Sequence, residues 1–223
     1  MERRFEEELN RLKKQLLEMG AKVERNIGDA ILSLNNQDRK LAQDVMGRDA
    51  EIDLTEIQID GLCFYVLALR QPVARDLRFI TTALKIVKDL ERIGDMSADI
   101  SEHGLAIMDG PSLSPVQHLS AMGSAAQKML TSALNAFVDQ DVVLARQVID
   151  DDDLVDDHHD QILNELIELM VADKNTITRA THLVYIIKYL ERIGDHSSNI
   201  AEMVVFMVEG KDIRHLEKLK DYR

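Results

Sequence analysis

The stretch Leu90-Glu91-Arg92-Ile93-Gly94-Asp95 decides the fold, because it occurs again 100 positions later as Leu190-Glu191-Arg192-Ile193-Gly194-Asp195. Upstream, Ile52-Asp53 matches Val155-Asp156 at an offset of 103. The difference between the two offsets implies three additional residues in the first half, between Asp53 and Glu91. Self-similarity at a fixed period indicates two structural units of the same kind joined in tandem.

Each half has the sequence pattern of long helices. The 223 residues include only ten glycines and three prolines, and apolar residues recur three and four positions apart. Interruptions of this pattern predict six helices, with breaks in the middle helix of each half near Asp49 and Asp151. The predicted helices span about 4–35, 38–70, 73–108, 116–138, 141–173 and 176–209. We therefore predict an all-α fold of two similar three-helix bundles, residues 1–111 and 112–223, with a hinge from Gly110 to Ser114.

The composition limits where the protein works and what it binds. Its 27 basic and 40 acidic residues give a formal net charge of −13, which repels the phosphate backbone of nucleic acids. Cys63 is the only cysteine, so the chain has no internal disulfide, as is typical of a reducing compartment. The first residues lack a signal-peptide pattern, and the longest apolar run, Leu62 to Leu69, is too short for a membrane span. We expect a cytoplasmic protein that neither binds nucleic acid nor spans a membrane.

The repeated motif places carboxylates where a helix should bury apolar side chains. On a helical wheel, Glu91 falls within the apolar arc and Asp95 lies at its edge. Glu191 and Asp195 occupy the same positions in the second half. Burying a bare carboxylate costs several kcal/mol, and two carboxylates four residues apart on a helix repel one another. The arrangement therefore requires partners for these acids.

A bound cation would satisfy the acids of both motifs. Carboxylate oxygens suit magnesium, manganese, calcium, iron or zinc. Each motif provides only two side chains, so other helices must contribute further ligands. Glu102 and Glu202, seven residues beyond each aspartate, extend the acidic face by two turns. His159 in the middle helix of the second half is a further candidate ligand, with a solvated histidine as the alternative.

Ion pairs within each helix offer a different explanation. Acid and base lie three residues apart in the pairs Lys88–Glu91, Arg92–Asp95, Lys188–Glu191 and Arg192–Asp195. Such pairs contribute a few tenths of a kcal/mol at a wet surface. The residues alone leave the metal centre and the ion-paired surface about equally open. Gly94 and Gly194 favour the metal centre slightly, because a glycine inside a helix costs about 1 kcal/mol and indicates close approach of another helix.

Three segments of the chain resemble the PhoU family of accessory regulators of phosphate-specific transport. They are Gln71 to Arg78, Leu90 to Asp95, and Leu190 to Asp195 with Asn199 and Ile200, and the likeness extends from about Phe5 to His215. The resemblance implies a fold of two similar three-helix bundles, in agreement with the repeat.

The same resemblance implies metal binding. In the family, the motif residues that correspond to Glu91, Asp95, Glu191 and Asp195 form a metal-binding signature. Members carry metal clusters, iron or zinc among them, and magnesium or manganese are further options for this chain. Asn199 fits the family pattern, whereas the residue at the position of Asp99 varies among relatives.

A regulatory adaptor is the function that the resemblance implies. Such a protein restrains phosphate uptake and phosphate-starvation signalling through the ATPase subunit of the phosphate ABC transporter and a phosphate-sensing histidine kinase. The family also suggests a homodimer. Arg75 and Arg78, which begin the third helix, are predicted to form a partner-binding or bridging patch, with ion pairing to Asp76 as the alternative.

A carboxylate-bridged metalloenzyme is the alternative function. The chain has no His-Glu-x-x-His or Glu-x-x-His pair, no Gly-x-Ser-x-Gly and no phosphate-binding glycine loop. No nucleophile is evident beside the acids, so we predict that the protein is not an enzyme. The run Asp150 to Asp153 is interpreted as a helix N-terminus, because it lacks the glycine and glutamate of an EF-hand.

Overall fold

Helices form all the regular structure within residues 2–110, 113 and 116–213, which the computed structural model describes. The α-helices of these described residues are α1 (Glu2–Asn36), α2 (Arg39–Gly47), α3 (Asp49–Arg70), α4 (Ala74–Ile107), α5 (Val116–Asp139), α6 (Val142–Asp150), α7 (Asp152–Ala172) and α8 (Ile177–Glu209). A 3-10 turn, Lys174–Thr176, precedes α8. The predicted all-α fold of two similar three-helix bundles is confirmed.

The middle helix of each half breaks where the sequence predicts. One residue, Arg48, separates α2 from α3, and Asp151 separates α6 from α7. Of the predicted hinge, Pro111, Ser112 and Ser114 lie outside the described residues. His215, near the end of the resemblance to the family, also lies outside them. The division at residue 111 stays a prediction.

A repeated Gln-Asp pair ends the first helix of each half and starts the second. Gln37 and Gln140 adopt left-handed backbone conformations, with φ of 53° and 55°. The side chains of Asp38 and Asp141 then accept hydrogen bonds of 2.9–3.0 Å from backbone amides in the first turns of α2 and α6. A capping aspartate satisfies amides that the new helix leaves unpaired. The two reversals are therefore encoded locally.

Helices α4 and α8 pack against each other at the centre of the molecule and run in opposite directions. Side chains of Asp89 and His196 meet at 2.8 Å, and those of His103 and His182 also meet at 2.8 Å. The first pair lies 14 residues before the second in α4 (103 − 89) and 14 residues after it in α8 (196 − 182). The two copies of the acidic motif therefore lie on adjacent antiparallel helices.

The other helices cover this central pair. Helices α1, α2 and α3 pack against α4, and α5, α6 and α7 pack against α8. Helix α1 also packs against α5, so the two halves share one apolar core. Phe79 of α4 stacks on Phe137 of α5, with 5.1 Å between ring centroids. Within the described residues, no helix is long and apolar enough to cross a membrane.

Candidate functional site

Acidic side chains from α3 and α4 converge in the first half. One carboxylate oxygen from each of Asp49, Asp53 and Asp95 lies within 4.8 Å of the others. A second group of the same tightness consists of Asp53, Glu56 and Glu91. Asp53 belongs to both groups. We call these five carboxylates the α3–α4 acid cluster.

Helical spacing and a close contact between helices build this cluster. Asp53 follows Asp49 by four residues on α3, and Asp95 follows Glu91 by four on α4, so each pair lies on one face of its helix. Gly94 lets the helices approach, because a Cβ atom there would lie 2.8 Å from Cδ1 of Ile52 on α3. The close approach predicted from this glycine is confirmed.

Two acids of the cluster, Asp49 and Asp95, have raised pKa values. Burial, together with the neighbouring Glu91 and Asp49 carboxylates, raises the pKa of Asp95 to about 6. Burial and the charge of Asp53 also raise the pKa of Asp49. In addition, Oδ1 of Asp49 is buried without a hydrogen-bond partner within the described structure. A cation would satisfy that oxygen and offset the repulsion, so the residues fit a metal ion bound through oxygen ligands.

Lys88 neutralises one side of the cluster. Its Nζ lies 3.0 Å from a carboxylate oxygen of Glu91 and 3.1 Å from one of Glu56. The predicted ion pair between Lys88 and Glu91 therefore exists. The other three predicted pairs, Arg92–Asp95, Lys188–Glu191 and Arg192–Asp195, are not among the ion pairs of the described part of the chain. Intrahelical pairing thus explains Glu91 but leaves Asp95 and Asp195 unexplained.

The second half repeats this arrangement with one change. At the offset of 103, Asp49, Asp53 and Glu56 correspond to Asp152, Asp156 and His159. Burial and the Asp195 carboxylate raise the pKa of Asp152 to about 6, and the same causes raise the pKa of Asp156.

His159 points toward the repeated motif of α8. Its Nε2 lies 3.7 Å from a carboxylate oxygen of Glu191, and its Nδ1 lies 3.2 Å from Oδ1 of Asp160. Among the described residues, no three acids or histidines of the second half lie as close together as those of the first. The acids around Glu191 and Asp195 are therefore a looser version of the α3–α4 acid cluster.

Gly194 repeats the role of Gly94 on the other side of the molecule. A Cβ atom on Gly194 would lie 3.0 Å from Oδ1 of Asp152 and 3.4 Å from Val155.

The run Asp150 to Asp153 does contain the start of α7, but the side chain of Asp151 makes no capping hydrogen bond. Asp152 instead faces α8. The interpretation of this run as a helix N-terminus therefore explains where the run lies in the chain. It does not explain why the Asp152 side chain lies against α8.

The remaining predicted ligands lie around these groups. Asp99 raises the pKa of Asp95 and, after the larger effect of burial, that of Tyr189 on α8. Glu102 and Asn199 are exposed, and Glu202 is partly buried. None of these four belongs to a metal-sized group among the described residues. Their role as ligands stays a prediction.

Arg75 and Arg78 connect the two halves of the chain. The Arg75 guanidinium donates to Oε1 of Gln140, and Nε of Arg78 donates to the backbone carbonyl of Met207 at 3.0 Å. Neither arginine pairs with Asp76 within the described residues. Partner binding by these arginines stays a prediction.

Three members of the α3–α4 acid cluster were missed from the sequence: Asp49, Asp53 and Glu56. The signal was present, because the four-residue spacing of Asp49 and Asp53 recurs in Asp152 and Asp156. Repeated acid pairs on the helix that faces the motif would have identified them.

The raised pKa values predict an unusual pH dependence of stability for the metal-free protein. A carboxyl group whose pKa rises on folding stabilises the protein below its unfolded pKa, near 4, and that contribution is lost as pH rises through the folded pKa. For Asp95 and Asp152 the loss occurs between about pH 4 and pH 6. We expect Asp95→Asn/Asp152→Asn to be more stable than the wild type at pH 7 by about 1 kcal/mol, after allowance for solvent screening.

Thermal unfolding with a chelator present, at pH 5 and pH 7, checks this expectation. The two proteins should differ by roughly 2–4 °C at pH 7 and by about half as much at pH 5. Burial and His182 lower the pKa of His103, which acts in the opposite direction in this window. The variant retains His103, so the comparison isolates the aspartates. Equal differences at both pH values would contradict the prediction.

Comparison with known proteins matches both halves of the chain. The PhoU domain matches residues 16–103 and 119–204. A phosphate-specific transport system accessory protein PhoU homolog of Pseudomonas aeruginosa is 39% identical over 213 residues, which cover 95% of this chain and 88% of that protein. A homolog of the same name from Aquifex aeolicus is 37% identical over 208 residues, 93% of this chain and 94% of that protein.

Solved structures agree with the sequence comparison. The crystal structure of PhoU from Pseudomonas aeruginosa has a TM-score of 0.89 at 39% identity and covers 93% of this chain and 100% of that one. The phosphate transport system regulatory protein PhoU from Streptococcus pneumoniae has a TM-score of 0.86 at 30% identity, covering 94% and 99%. These relatives are named as accessory or regulatory proteins rather than enzymes. Because two PhoU domains span most of its length and its fold matches theirs, this chain belongs to the PhoU family.

Proposed function

We propose that this protein is a metal-binding accessory regulator of phosphate transport. The observation that carries the metal-binding part is the convergence of Asp49, Asp53 and Asp95 within 4.8 Å around a buried oxygen of Asp49 that has no hydrogen-bond partner in the described structure. The names of its relatives support the regulatory part, since they describe accessory and regulatory proteins of phosphate transport.

The regulator is proposed to work by association. It binds the ATPase subunit of a phosphate ABC transporter and a phosphate-sensing histidine kinase in the cytoplasm, as a homodimer, and restrains uptake and starvation signalling when phosphate is plentiful. The acidic net charge of −13 suits basic partner surfaces.

The metal is proposed to be structural or sensory rather than catalytic. Its charge would offset the repulsion among carboxylates of α3 and α4 and so join these helices. The all-oxygen α3–α4 acid cluster suits iron, magnesium or manganese, whereas the second half adds the imidazole of His159, which suits zinc or iron. Glu91, Asp95, Glu191 and Asp195 remain the proposed motif ligands, joined by Asp49, Asp53, Asp152 and Asp156.

Elemental analysis of gently purified protein tests the metal. We expect stoichiometric metal in the wild type and its loss in Glu91→Ala/Asp95→Ala/Glu191→Ala/Asp195→Ala. A matched control changes acids that belong to no cluster, Glu6→Ala/Glu18→Ala on α1. Equal metal content in the wild type and the four-site variant would exclude the acid clusters as the binding sites.

A binding assay with purified partners tests the regulatory role separately. The ATPase subunit and the cytoplasmic part of the kinase should each bind the wild-type chain, and ATP hydrolysis by the transporter should fall when the chain is added. Absence of both interactions, in metal-loaded and in chelated protein, would refute the adaptor role even if metal is present.

A further inference from the structure

An apolar stripe runs along the outer face of α3. The exposed fractions of Leu54, Ile57, Phe64 and Leu69 are 60%, 65%, 61% and 59%, and Tyr65 is 44% exposed. The spacing of these residues keeps them on one side of the helix, over about 22 Å. We call them the α3 stripe.

Nothing in the described structure covers this face. Helix α3 packs only on α1, α2 and α4, and does so through the opposite face, which buries Ile52, Ile59, Cys63 and Val66. At the middle of the stripe, a Cβ atom on Gly61 would meet nothing within 4 Å. Beside Gly61, a groove of about 510 Å³ opens between α1 and α3, with Leu62 and Tyr65 on the α3 wall and Arg4, Glu7, Glu8 and Arg11 on the α1 wall. The groove can receive a large side chain from a bound molecule.

The second half shows that the fold does not require this apolar face. Helix α7 is the counterpart of α3, and at the offset of 103 Leu54 and Ile57 correspond to Asp157 and Asp160. Gly61 corresponds to Asn164. Only the last turns of α7 keep exposed apolar residues at the matching positions, such as Ile167. The apolar stripe is thus present on α3 and largely absent from its counterpart α7, and exposed apolar surface of this kind marks interaction sites.

Acidic side chains border the stripe. Asp53 and Asp60 lie along the edge nearest α4, and neither is in an ion pair within the described residues. Burial and the nearby Glu56 raise the pKa of Asp60, and the Lys88 ammonium group partly offsets this effect. On the other edge, Glu51 pairs with Lys22 at 2.7 Å. The edge toward α4 therefore attracts positive charge.

We propose that the α3 stripe binds an amphipathic helix of a partner protein, with apolar residues at i, i+3 or i+4, and i+7, flanked by lysine or arginine. A helix lying along α3 would bury the stripe and insert one large side chain beside Gly61. Its basic flank would face Asp53 and Asp60, and the net charge of −13 would favour its approach.

A second copy of this chain fits the stripe less well. In a two-fold interface with antiparallel α3 helices, the acidic edges of both copies would face one another, and the stretch of α3 from Asp53 to Asp60 provides no lysine or arginine between them. An anionic membrane surface meets the same objection. The inference adds a surface to the proposed regulatory role, and its apolar contacts and the charge of Asp60 do not depend on metal binding.

Peptide binding to the full chain tests the proposal. The probe is a fluorescent 18-residue helical peptide with leucine at helical spacing and lysine along one flank, in buffer that contains a chelator. The variant Leu54→Asp/Ile57→Asp carries the residues that α7 has at these positions. We expect it to bind the peptide at least about 10-fold more weakly than the wild type. The control Leu154→Asp/Val171→Asp, on exposed apolar residues of α7, should bind within about 2-fold of the wild type.

Two further peptides fix the chemistry of the partner. One has the same composition with its leucines out of helical register, and the other has glutamate in place of lysine. Both should bind the wild type at least about 10-fold more weakly than the probe. The proposal is wrong if the wild type does not bind the probe, if the scrambled peptide binds equally well, or if Leu54→Asp/Ile57→Asp binds normally.

Sedimentation of the same variants identifies the occupant. If Leu54→Asp/Ile57→Asp converts a dimer into a monomer, the stripe is an interface between copies and the proposal of a partner helix is overturned. An unchanged mass with loss of peptide binding supports it. Far-UV circular dichroism establishes folding, and Ile57→Ser replaces the double variant if that variant is unfolded. Unchanged metal content in these variants separates the result from the test of the acid clusters.

Discussion

The variant Asp53→Asn/Asp95→Asn is expected to bind a divalent cation at the α3–α4 acid cluster at least about 100-fold more weakly than the wild type. Asp53 belongs to both groups of the cluster, and Asp95 completes the group that contains the unpartnered oxygen of Asp49. Loss of residues outside the ligand shell already costs a metal site about 10–100-fold, so loss of two ligands should cost at least as much. Asparagine keeps the side-chain shape, which separates lost charge from lost packing.

Calorimetric titration of chelator-stripped protein with Mn²⁺ measures this effect. The matched control is Asp156→Asn/Asp195→Asn, which makes the corresponding change in the second half. We expect this control to retain the tighter binding step, because the described acids of the second half do not form a group of the same tightness. Equal loss of affinity in the two variants would show that the halves act as one site rather than as one tight and one looser group.

The variant Gly94→Val is expected to destabilise the protein by about 2–3 kcal/mol, which corresponds to a decrease in Tm of roughly 4–12 °C. A Cβ atom at this position would lie 2.8 Å from Cδ1 of Ile52, a side chain that is only 1% exposed. Because Ile52 is enclosed in a close-packed core, valine at position 94 forces either a strained Ile52 rotamer or a displacement of α3 from α4. Thermal unfolding with a chelator present measures the change without a contribution from metal.

Gly61→Val is the matched control for this variant. Gly61 also lies inside a helix, but a Cβ atom there meets nothing within 4 Å. Valine has a somewhat better helix propensity than glycine, so we expect the stability to change by less than about 0.5 kcal/mol. The double variant Gly94→Val/Ile52→Ala should lose less stability than the sum of the losses of its two single variants. The reason is that the added valine occupies space that the shortened Ile52 side chain vacates. Similar destabilisation by Gly61→Val and Gly94→Val would show that the contact with Ile52 is not the cause.

Local features of the sequence account for most of the fold. The Gln37-Asp38 and Gln140-Asp141 reversals are encoded by a left-handed residue followed by a capping aspartate, so they could be predicted without knowledge of the packing. The recurrence of the motif at residues 90–95 and 190–195 then predicted two similar three-helix bundles in tandem. Gly94 indicated a close helix contact because glycine has a cost inside a helix that only packing or function offsets.

The site could be predicted only in part, because it depends on the register between helices. Glu91 and Asp95 interrupt an apolar arc, which is visible on one helix alone. Asp53 interrupts no such pattern, and its importance follows from the position at which α3 crosses α4. Asp152 could not be identified from the sequence for a different reason. A run of four aspartates at a helix N-terminus is already explained by favourable interaction with the helix dipole. Recognition of these residues requires the distances between helices.

The position of Lys88 implies that the two overlapping groups of the acid cluster should fill one after the other. A divalent ion entering between Glu56 and Glu91 must displace an ammonium group that both carboxylates already hold, at 3.1 and 3.0 Å. The exchange increases the local charge by only one unit. Asp49 and Asp95 hold no such lysine or arginine within the described structure, so an ion beside them contributes its full charge. A single chain would then respond to cation concentration over two separate ranges.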